Sequence, residues 1–216
     1  MNYQNKNYTI FGDLKASTFL MYLVDESNPE DYEQIYQKVS NESQLCMISV
    51  SIHDWQGELS PWSAPAIFGK HDFAGNAAKF LAELEGFWKW FKDEHNIESN
   101  QMYLCGYSLA GLFALWASSQ TNLFTKIAAV SPSVWYFNFL EYMQRNPIQT
   151  REVYMSLGDK EANAKNKVMA TVKDCFEAVI QIIQKQNISL TYEYNPGNHF
   201  QDVELRMMKG IQQLLL

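Results

Sequence analysis

Seven stretches of the chain have the apolar, β-branched and aromatic content of strands, and helical periodicity occupies most of the intervals between them. The predicted strands span residues 8–13, 17–24, 45–52, 101–105, 126–131, 152–157 and 189–194. Alternation of strands with helices is typical of a mostly parallel sheet that is covered by helices on both faces. The first two strands are separated by so few residues that we expect them to form an N-terminal antiparallel hairpin.

Apolar residues recur at helical spacing in four of these intervals. One helix is predicted to begin at Asn28-Pro29, where asparagine supplies a cap and proline a preset first turn. The other three are predicted over residues 77–91, 109–119 and 168–183. We assign their apolar stripes to the core and to no chemistry.

Composition limits the architecture and the partners. The 216 residues are 47% hydrophobic, which is enough to bury a full core. No internal repeat, low-complexity tract, linker or long insertion interrupts the pattern, so we expect a single α/β domain over residues 1–216 without a lid domain. Seventeen basic and 24 acidic residues give a net charge of -7, which opposes nonspecific binding to nucleic acid or to an anionic membrane.

Targeting signals and metal motifs are not found in the sequence. The N-terminal residues lack a charged leader followed by a long apolar run, and no apolar stretch approaches the roughly 18 residues of a membrane span, so we expect a cytoplasmic location. Cys46, Cys105 and Cys175 are widely spaced in apolar surroundings, which favours reduced thiols over a disulfide frame. The histidines are scattered, and we expect neither a metal nor a cofactor.

The most distinctive motif, LCGYSLAGLF, lies where a predicted strand meets a predicted helix. Ser108 sits at this junction, which is where open parallel sheets bind their ligands. A serine presented from so sharp a turn needs small residues two positions before and after it, and Gly106 and Ala110 meet that need. Ala110 breaks the strict G-x-S-x-G pattern. The motif indicates a nucleophilic serine, with an ordinary serine-containing turn as the alternative.

A serine nucleophile requires a general base and an acid that orients the base. Of the four histidines, only His199 lies in a Gly-rich loop between the last predicted strand and the last helix; the alternative for it is a capping or surface residue. The turn after the sixth strand, SLGDKE, offers Glu161 and Asp159 as acids, and either could be a solvated turn residue. We favour Glu161, because many hydrolases of this architecture carry the carboxylate three positions after the residue equivalent to Gly158. The order Ser, acid, His matches that of α/β-hydrolases.

Together these segments resemble an esterase family of α/β-hydrolases that includes esterase D-like enzymes and the hydrolases that open siderophore trilactones. The resemblance covers nearly the whole chain and is carried by CGYSLAGLFAL, SPSVWYFNF, SLGDKE and GNHF. It implies the α/β-hydrolase fold, with the seven predicted strands corresponding to the family's sheet without its outermost first strand. The SPSVW segment, residues 131–135, resembles a stretch of the siderophore-esterase branch and is expected beside the nucleophile.

The resemblance implies hydrolysis of carboxylic esters through an acyl-enzyme on Ser108. His199 would take the hydroxyl proton and pass it to the leaving alkoxide, and Glu161 would stabilise the imidazolium. No metal or cofactor takes part in this chemistry.

The resemblance also implies an oxyanion hole with two backbone donors. One donor is the N–H of Leu109, and the other is an N–H in the loop after the second predicted strand, at Glu26, Asp25 or Ser27. This loop, VDESNP, departs from the family, because it lacks the His-Gly-Gly segment that many relatives carry there.

Aromatic residues in the predicted loops near Ser108 suggest a substrate pocket walled by rings. The predicted pocket residues are Trp55, Trp62, Tyr107 and Trp135. Such a wall suits aryl or acyl esters and, by resemblance, catecholate esters. The alternative is that these rings only pack the loops.

The expected function is therefore a serine carboxylesterase that acts on a small-molecule ester. One alternative is a hydrolase fold that has lost catalysis and serves as a binding or scaffold protein, and another is a thioesterase or peptidase. The sequence leaves the natural ester and the oligomeric state open.

Overall fold

The computed structural model describes residues 1–26, 32–40, 45–99 and 101–216. An eight-stranded sheet with the order β1-β2-β4-β3-β7-β8-β9-β10 forms its centre, and β5 and β6 form a separate two-stranded ribbon. The strands are β1 Asn2–Tyr3, β2 Lys6–Phe11, β3 Thr18–Asp25, β4 Leu45–Ile52, β5 Ser63–Ala64, β6 Phe73–Ala74, β7 Met102–Tyr107, β8 Phe124–Val130, β9 Glu152–Gly158 and β10 Ser189–Asn195.

Helices cover both faces of this sheet. They are α1 Tyr32–Val39, α2 Trp55–Glu58, α3 Ala77–His95, α4 Leu109–Gln120, α5 Phe139–Arg145, α6 Val172–Gln184 and α7 Val203–Leu214, and two 3-10 turns span Glu161–Asn163 and Met169–Thr171. Helices α3, α4, α5 and α6 pack on the larger apolar cluster, whereas α1 and α7 pack on the smaller one. Within the described ranges, none of the helices has the length and apolarity needed to cross a membrane.

The mostly parallel sheet with an N-terminal antiparallel hairpin is confirmed, but the hairpin uses different strands from those predicted. It joins β1 to β2, and β2 then pairs antiparallel with β4, with Tyr8 opposite Val50. Strand β3 instead lies between β4 and β7 and is parallel to both. Its residues from Thr18 to Val24 are all buried, so it needs neighbours on both sides and cover on both faces.

The predicted helices differ from the structure at their ends, since α3 begins at Ala77 as predicted but continues to His95. The start predicted at Asn28-Pro29 lies outside the described residues. Helix α6 begins at Val172, because residues 169–171 form a 3-10 turn where the sequence predicts the first α-helical turn. The short helices α2 and α5 were not predicted.

Strand order places the candidate site at one edge of the sheet. From β3 the chain crosses to β4 on one side, and from β7 it crosses to β8 on the other. The carboxyl ends of β3 and β7 therefore flank a topological switch point, which is the preferred ligand position in open parallel sheets. The loops after β9 and β10 open at the same edge.

Candidate active site

Ser108 occupies a strained turn between β7 and α4. Its φ of 57° and ψ of -118° lie outside the regions that non-glycine residues normally adopt, at a cost of about 1–3 kcal/mol. A Cβ on Gly106 would lie 2.4 Å from the backbone carbon and oxygen of Ala110, so only glycine fits there. The turn therefore has the close approach that the sequence predicts, and Ala110 replaces the usual final glycine without opening it.

The structure brings Ser108, His199 and Glu161 into one hydrogen-bonded chain. His199 Nε2 lies 3.0 Å from Ser108 Oγ, and His199 Nδ1 lies 2.7 Å from Glu161 Oε2. An ionised carboxylate only accepts, so Nδ1 carries a proton and the lone pair of Nε2 faces the serine hydroxyl. Asp159, the alternative acid, instead accepts the Gly197 N–H at Oδ1, 2.8 Å away.

The Glu161 carboxylate is buried among donors. Its Oε1 accepts from Ser131 Oγ at 2.7 Å, from the Gly158 N–H at 2.7 Å and from Arg206 Nη1 at 3.1 Å. Burial alone would raise the pKa of Glu161. The hydrogen bond to His199, the charge of His199 and the hydrogen bonds from Ser131 and Gly158 together outweigh burial, so the pKa lies below its ordinary value. Glu161 is therefore ionised at neutral pH.

Arg206, on α7, is a site residue that the sequence analysis missed. Its side chain is 1% exposed, and Nη2 donates to the carbonyls of Pro196 and Asn198 at 2.9 and 3.0 Å. One guanidinium thus binds both the Glu161 carboxylate and the loop that carries His199. A signal was present in the sequence, because Arg206 lies on the otherwise apolar face of its helix next to buried Met207.

Tyr107 and Ser133 contact the chain of three residues from opposite ends. The Tyr107 hydroxyl donates to the His199 carbonyl at 2.6 Å and so fixes the backbone of the histidine. Burial raises the pKa of Tyr107, which keeps the hydroxyl in its donating form. Ser133 Oγ lies 3.3 Å from Ser108 Oγ. The SPSVW segment, which contains Ser131 and Ser133, thus lies beside Ser108, although neither serine was singled out from the sequence.

The backbone N–H groups predicted to form the oxyanion hole differ in whether they already have an acceptor. Leu109 is the first residue of α4, and a helix's first N–H groups have no acceptor within the helix. The Glu26 N–H donates to the Ile52 carbonyl at 3.1 Å, so Glu26 does not offer the donor predicted for it. Asp25 is the last residue of β3, and Ser27 lies outside the described residues.

A cavity of about 840 Å³ opens next to Ser108 and His199. Its apolar wall consists of Trp55, Phe68, Trp135, Met169, Val172 and Phe200. Two of the four predicted pocket residues, Trp55 and Trp135, are thus in this wall. Trp62 is not, because it packs against Tyr136 and Tyr142 and donates through Nε1 to the Phe137 carbonyl. Tyr107 is not in the wall either, since its ring and hydroxyl are turned to His199.

Within the described ranges, no group of three His, Cys, Asp or Glu side chains could hold a metal ion. All three cysteines are free. Burial raises the pKa of Cys46 to about 12 and that of Cys105 further, so neither thiol is a nucleophile at neutral pH.

Comparison with solved structures identifies the fold. The chain is similar to an IroE-like serine hydrolase from Shewanella oneidensis, with a TM-score of 0.78, 19% identity and coverage of 97% of this chain and 75% of that one. It is also similar to the siderophore hydrolase EstA from Aspergillus nidulans (TM-score 0.71, 16% identity, 93% and 83% covered). A third match is poly(aspartic acid) hydrolase-1 from Sphingomonas sp. KT-1 (TM-score 0.66, 12% identity, 97% and 92% covered).

No protein-family model matches the sequence, and no curated protein matches it significantly. The structural matches span nearly all of this chain, and one further match is described as an α/β hydrolase. The chain therefore has the α/β-hydrolase fold that the sequence predicts.

Proposed function

We propose that this protein is a serine hydrolase that cleaves carboxylic esters through an acyl-enzyme on Ser108. The observation that carries the proposal is the unbroken path from the Glu161 carboxylate through the His199 ring to the Ser108 hydroxyl. Each contact is at hydrogen-bond distance, and the three groups lie at the edge of the sheet where this fold binds ligands.

In the acylation step, Ser108 Oγ attacks the ester carbonyl while His199 Nε2 takes its proton. Glu161, held by Ser131, Gly158 and Arg206, stabilises the imidazolium that forms. The imidazolium then protonates the departing alkoxide, and a water molecule repeats the sequence to release the acid. The N–H of Leu109 is the proposed first donor to the oxyanion, and the second belongs to the loop after β3.

The structural relatives support hydrolysis as the reaction class. One relative is described as a siderophore hydrolase and another as a poly(aspartic acid) hydrolase. The aromatic wall of the cavity favours an ester with an apolar or aromatic body, since rings bury large areas with few rotatable bonds. We also propose that the protein is a single domain, that it is cytoplasmic and that it needs no cofactor.

Hydrolysis of 4-nitrophenyl acetate and butyrate tests this function. We expect turnover by the wild-type protein and a loss on the order of 10³- to 10⁶-fold in Ser108→Ala. Ser119→Ala, at the other end of α4, is the matched control and should retain full activity. An inactive wild-type protein would leave the alternative of a binding or scaffold protein, and a Ser108→Ala variant that is as active as wild type would show that Ser108 is not the nucleophile. Thioester and peptide substrates at matched concentration distinguish the other hydrolase classes.

A further inference from the structure

Two lysines lie in the wall of the cavity next to Ser108. Lys160 and Lys165 are both exposed, and neither ammonium group forms an ion pair with any of the residues that the structure describes. Six other lysines of the chain do lie within 4.0 Å of a carboxylate, namely Lys6, Lys38, Lys79, Lys126, Lys173 and Lys209. Unpaired lysines also occur elsewhere in the described part of the chain, for example Lys185, so Lys160 and Lys165 are distinguished by their position in the cavity wall.

The charge balance of the cavity is opposite in sign to that of the whole chain. Among the described residues, Glu161 is the one carboxylate in the cavity wall, and its charge is already matched by Arg206 and by its contact with His199. The two ammonium groups therefore leave a positive cavity in a protein whose net charge is -7. A cleft with one sign of charge and apolar walls concentrates its field and attracts ligands of the opposite sign.

The backbone places both lysines in the segment that carries Glu161. The N–H of Lys160 donates to the Gly197 carbonyl at 3.1 Å, and its carbonyl accepts from the Asn163 N–H at 3.1 Å. Lys160 directly precedes Glu161, and Lys165 follows the 3-10 turn that Glu161 begins. Both side chains thus start from the segment that supplies the acid, and the apolar wall of the cavity includes Trp55 and Trp135 from other segments.

We propose that Lys160 and Lys165 form a subsite for a carboxylate, and that the substrates are esters with an apolar body and a negative charge in either the acyl or the alcohol part. This inference rests on the proposed esterase function and narrows its substrate class. The lysines supply the attraction, and the apolar wall accepts the body of the substrate. The charge of the ester stays at the subsite while Ser108 attacks the carbonyl.

Paired esters that differ in charge test the subsite by kinetics. For the acyl part, mono-4-nitrophenyl adipate is compared with 4-nitrophenyl hexanoate, and for the alcohol part, 3-carboxyphenyl acetate is compared with 3-carbamoylphenyl acetate. We expect kcat/KM to be about tenfold higher for the charged member of at least one pair at low salt. The advantage should shrink at about 1 M NaCl, where exposed charges are screened within a few ångströms.

Substitutions assign this preference to the two lysines. In Lys160→Gln/Lys165→Gln, we expect kcat/KM for the charged ester to fall about tenfold while the neutral ester changes less than about twofold. Lys167→Gln is the matched control, because Lys167 is exposed on the same segment but does not line the cavity. If wild type hydrolyses both members of each pair equally, or if the double variant keeps the preference, the subsite is refuted while the esterase function stands.

A binding measurement separates failure of the subsite from failure of the proposed function. Calorimetric titration of Ser108→Ala with 3-phenylpropionate and with 3-phenylpropanamide needs no turnover. We expect the carboxylate to bind about tenfold more tightly than the amide, and we expect that difference to disappear when Lys160 and Lys165 are both glutamine. If no ester is hydrolysed but this difference is found, the esterase function is wrong and the anion subsite is supported. Equal affinities for the two ligands would overturn the subsite.

Discussion

Among the residues that the structure describes, a histidine contacts a glutamate twice at the same edge of the sheet, but only one of these pairs has the geometry of a catalytic base. His199 and Glu161 follow β10 and β9, and His53 and Glu26 follow β4 and β3. The first pair is largely buried, with 22% and 3% of the side chains exposed, whereas the second has 40% and 45% exposed.

The decisive difference lies at the other nitrogen of each ring. His199 Nε2 faces the Ser108 hydroxyl, which can donate a proton to it. His53 Nε2 lies 3.2 Å from the Asn5 carbonyl oxygen, which can only accept. Nδ1 of His53 faces the Glu26 carboxylate, so both ring nitrogens of His53 face acceptors and neither lies beside a hydroxyl that could donate a proton to it. A histidine beside a carboxylate is therefore not by itself a base; the group at the opposite nitrogen decides.

The largest predicted effect compares the two histidines directly. His199→Ala should lower kcat/KM on the order of 10³- to 10⁶-fold, because Ser108 would lose its proposed base. His53→Ala should change it less than about threefold, since it removes only an exposed surface contact. Steady-state hydrolysis of 4-nitrophenyl butyrate measures both. Comparable losses in the two variants would mean that the comparison does not separate a catalytic from a structural pair.

The acid is tested by isosteric amides. Glu161→Gln should reduce kcat about 10²- to 10⁴-fold, because a neutral amide neither stabilises the imidazolium nor fixes the required tautomer. Asp159→Asn should cost less than about fivefold, since its Oδ1 can still accept the Gly197 N–H. The reverse ranking in kcat would show that Asp159 is the acid.

The buried pair of His199 and Glu161 differs from the exposed pair in its contact with the positive charge of Arg206. The charged and titratable side chains that are hydrogen-bonded to the buried pair are Arg206 from α7, which binds Glu161, and Tyr107 from the end of β7, which binds the His199 carbonyl. Arg206→Met removes a fixed positive charge, so the pair of His199 and Glu161 should take up a proton at higher pH. Because Glu161 has a lowered pKa and the base acts only when unprotonated, activity is lost as pH falls.

The measurement is the pH profile of kcat/KM. We expect the acidic limb of Arg206→Met to move upward by about one pH unit, so that activity at pH values below the wild-type limb falls about tenfold. Arg206→Lys keeps the charge but not the two-pronged geometry, so its limb should stay near that of wild type while kcat falls. If the acidic limb of Arg206→Met is unchanged, the charge of Arg206 does not affect the protonation of the pair, and its role is to hold the loop that carries His199.

The smallest predicted effect concerns the backbone of His199, which the Tyr107 hydroxyl holds. Tyr107→Phe removes one hydrogen bond and should lower kcat about three- to tenfold, with little change in KM because Tyr107 does not line the cavity. A rise in KM with unchanged kcat would instead place Tyr107 in the substrate pocket, as the sequence analysis predicted.

Those parts of the fold and site that depend on local pattern could be predicted from the sequence. The strand and helix on either side of Ser108 follow from the change in hydrophobic period, and the order of Ser108, Glu161 and His199 follows from the loops that end successive parallel strands. The choice between Glu161 and Asp159 did not follow from the pattern alone. It depends on which carboxylate the 3-10 turn after Gly158 directs towards the ring.

The remainder depends on contacts between distant segments. The short loop before β3 suggested a hairpin with β2, but burial of β3 on both faces places it at the centre of the sheet. Arg206 is 45 residues from Glu161 in the sequence, yet it binds the Glu161 carboxylate. Trp62 packs against Tyr136 and Tyr142 and not in the wall of the cavity. Tertiary packing determines where such side chains lie, and the local pattern of hydrophobic positions does not predict it.

Covalent labelling with a fluorophosphonate tests the central claim most directly, because the reagent phosphonylates a serine only where a base activates it. Peptide mapping of the labelled protein by mass spectrometry, with His199→Ala and His53→Ala treated in parallel, identifies the site and the base. We predict one label per chain on Ser108, formed at the wild-type rate in His53→Ala and severely slowed in His199→Ala. A label on another serine, or rapid labelling of Ser108 without His199, would contradict the account.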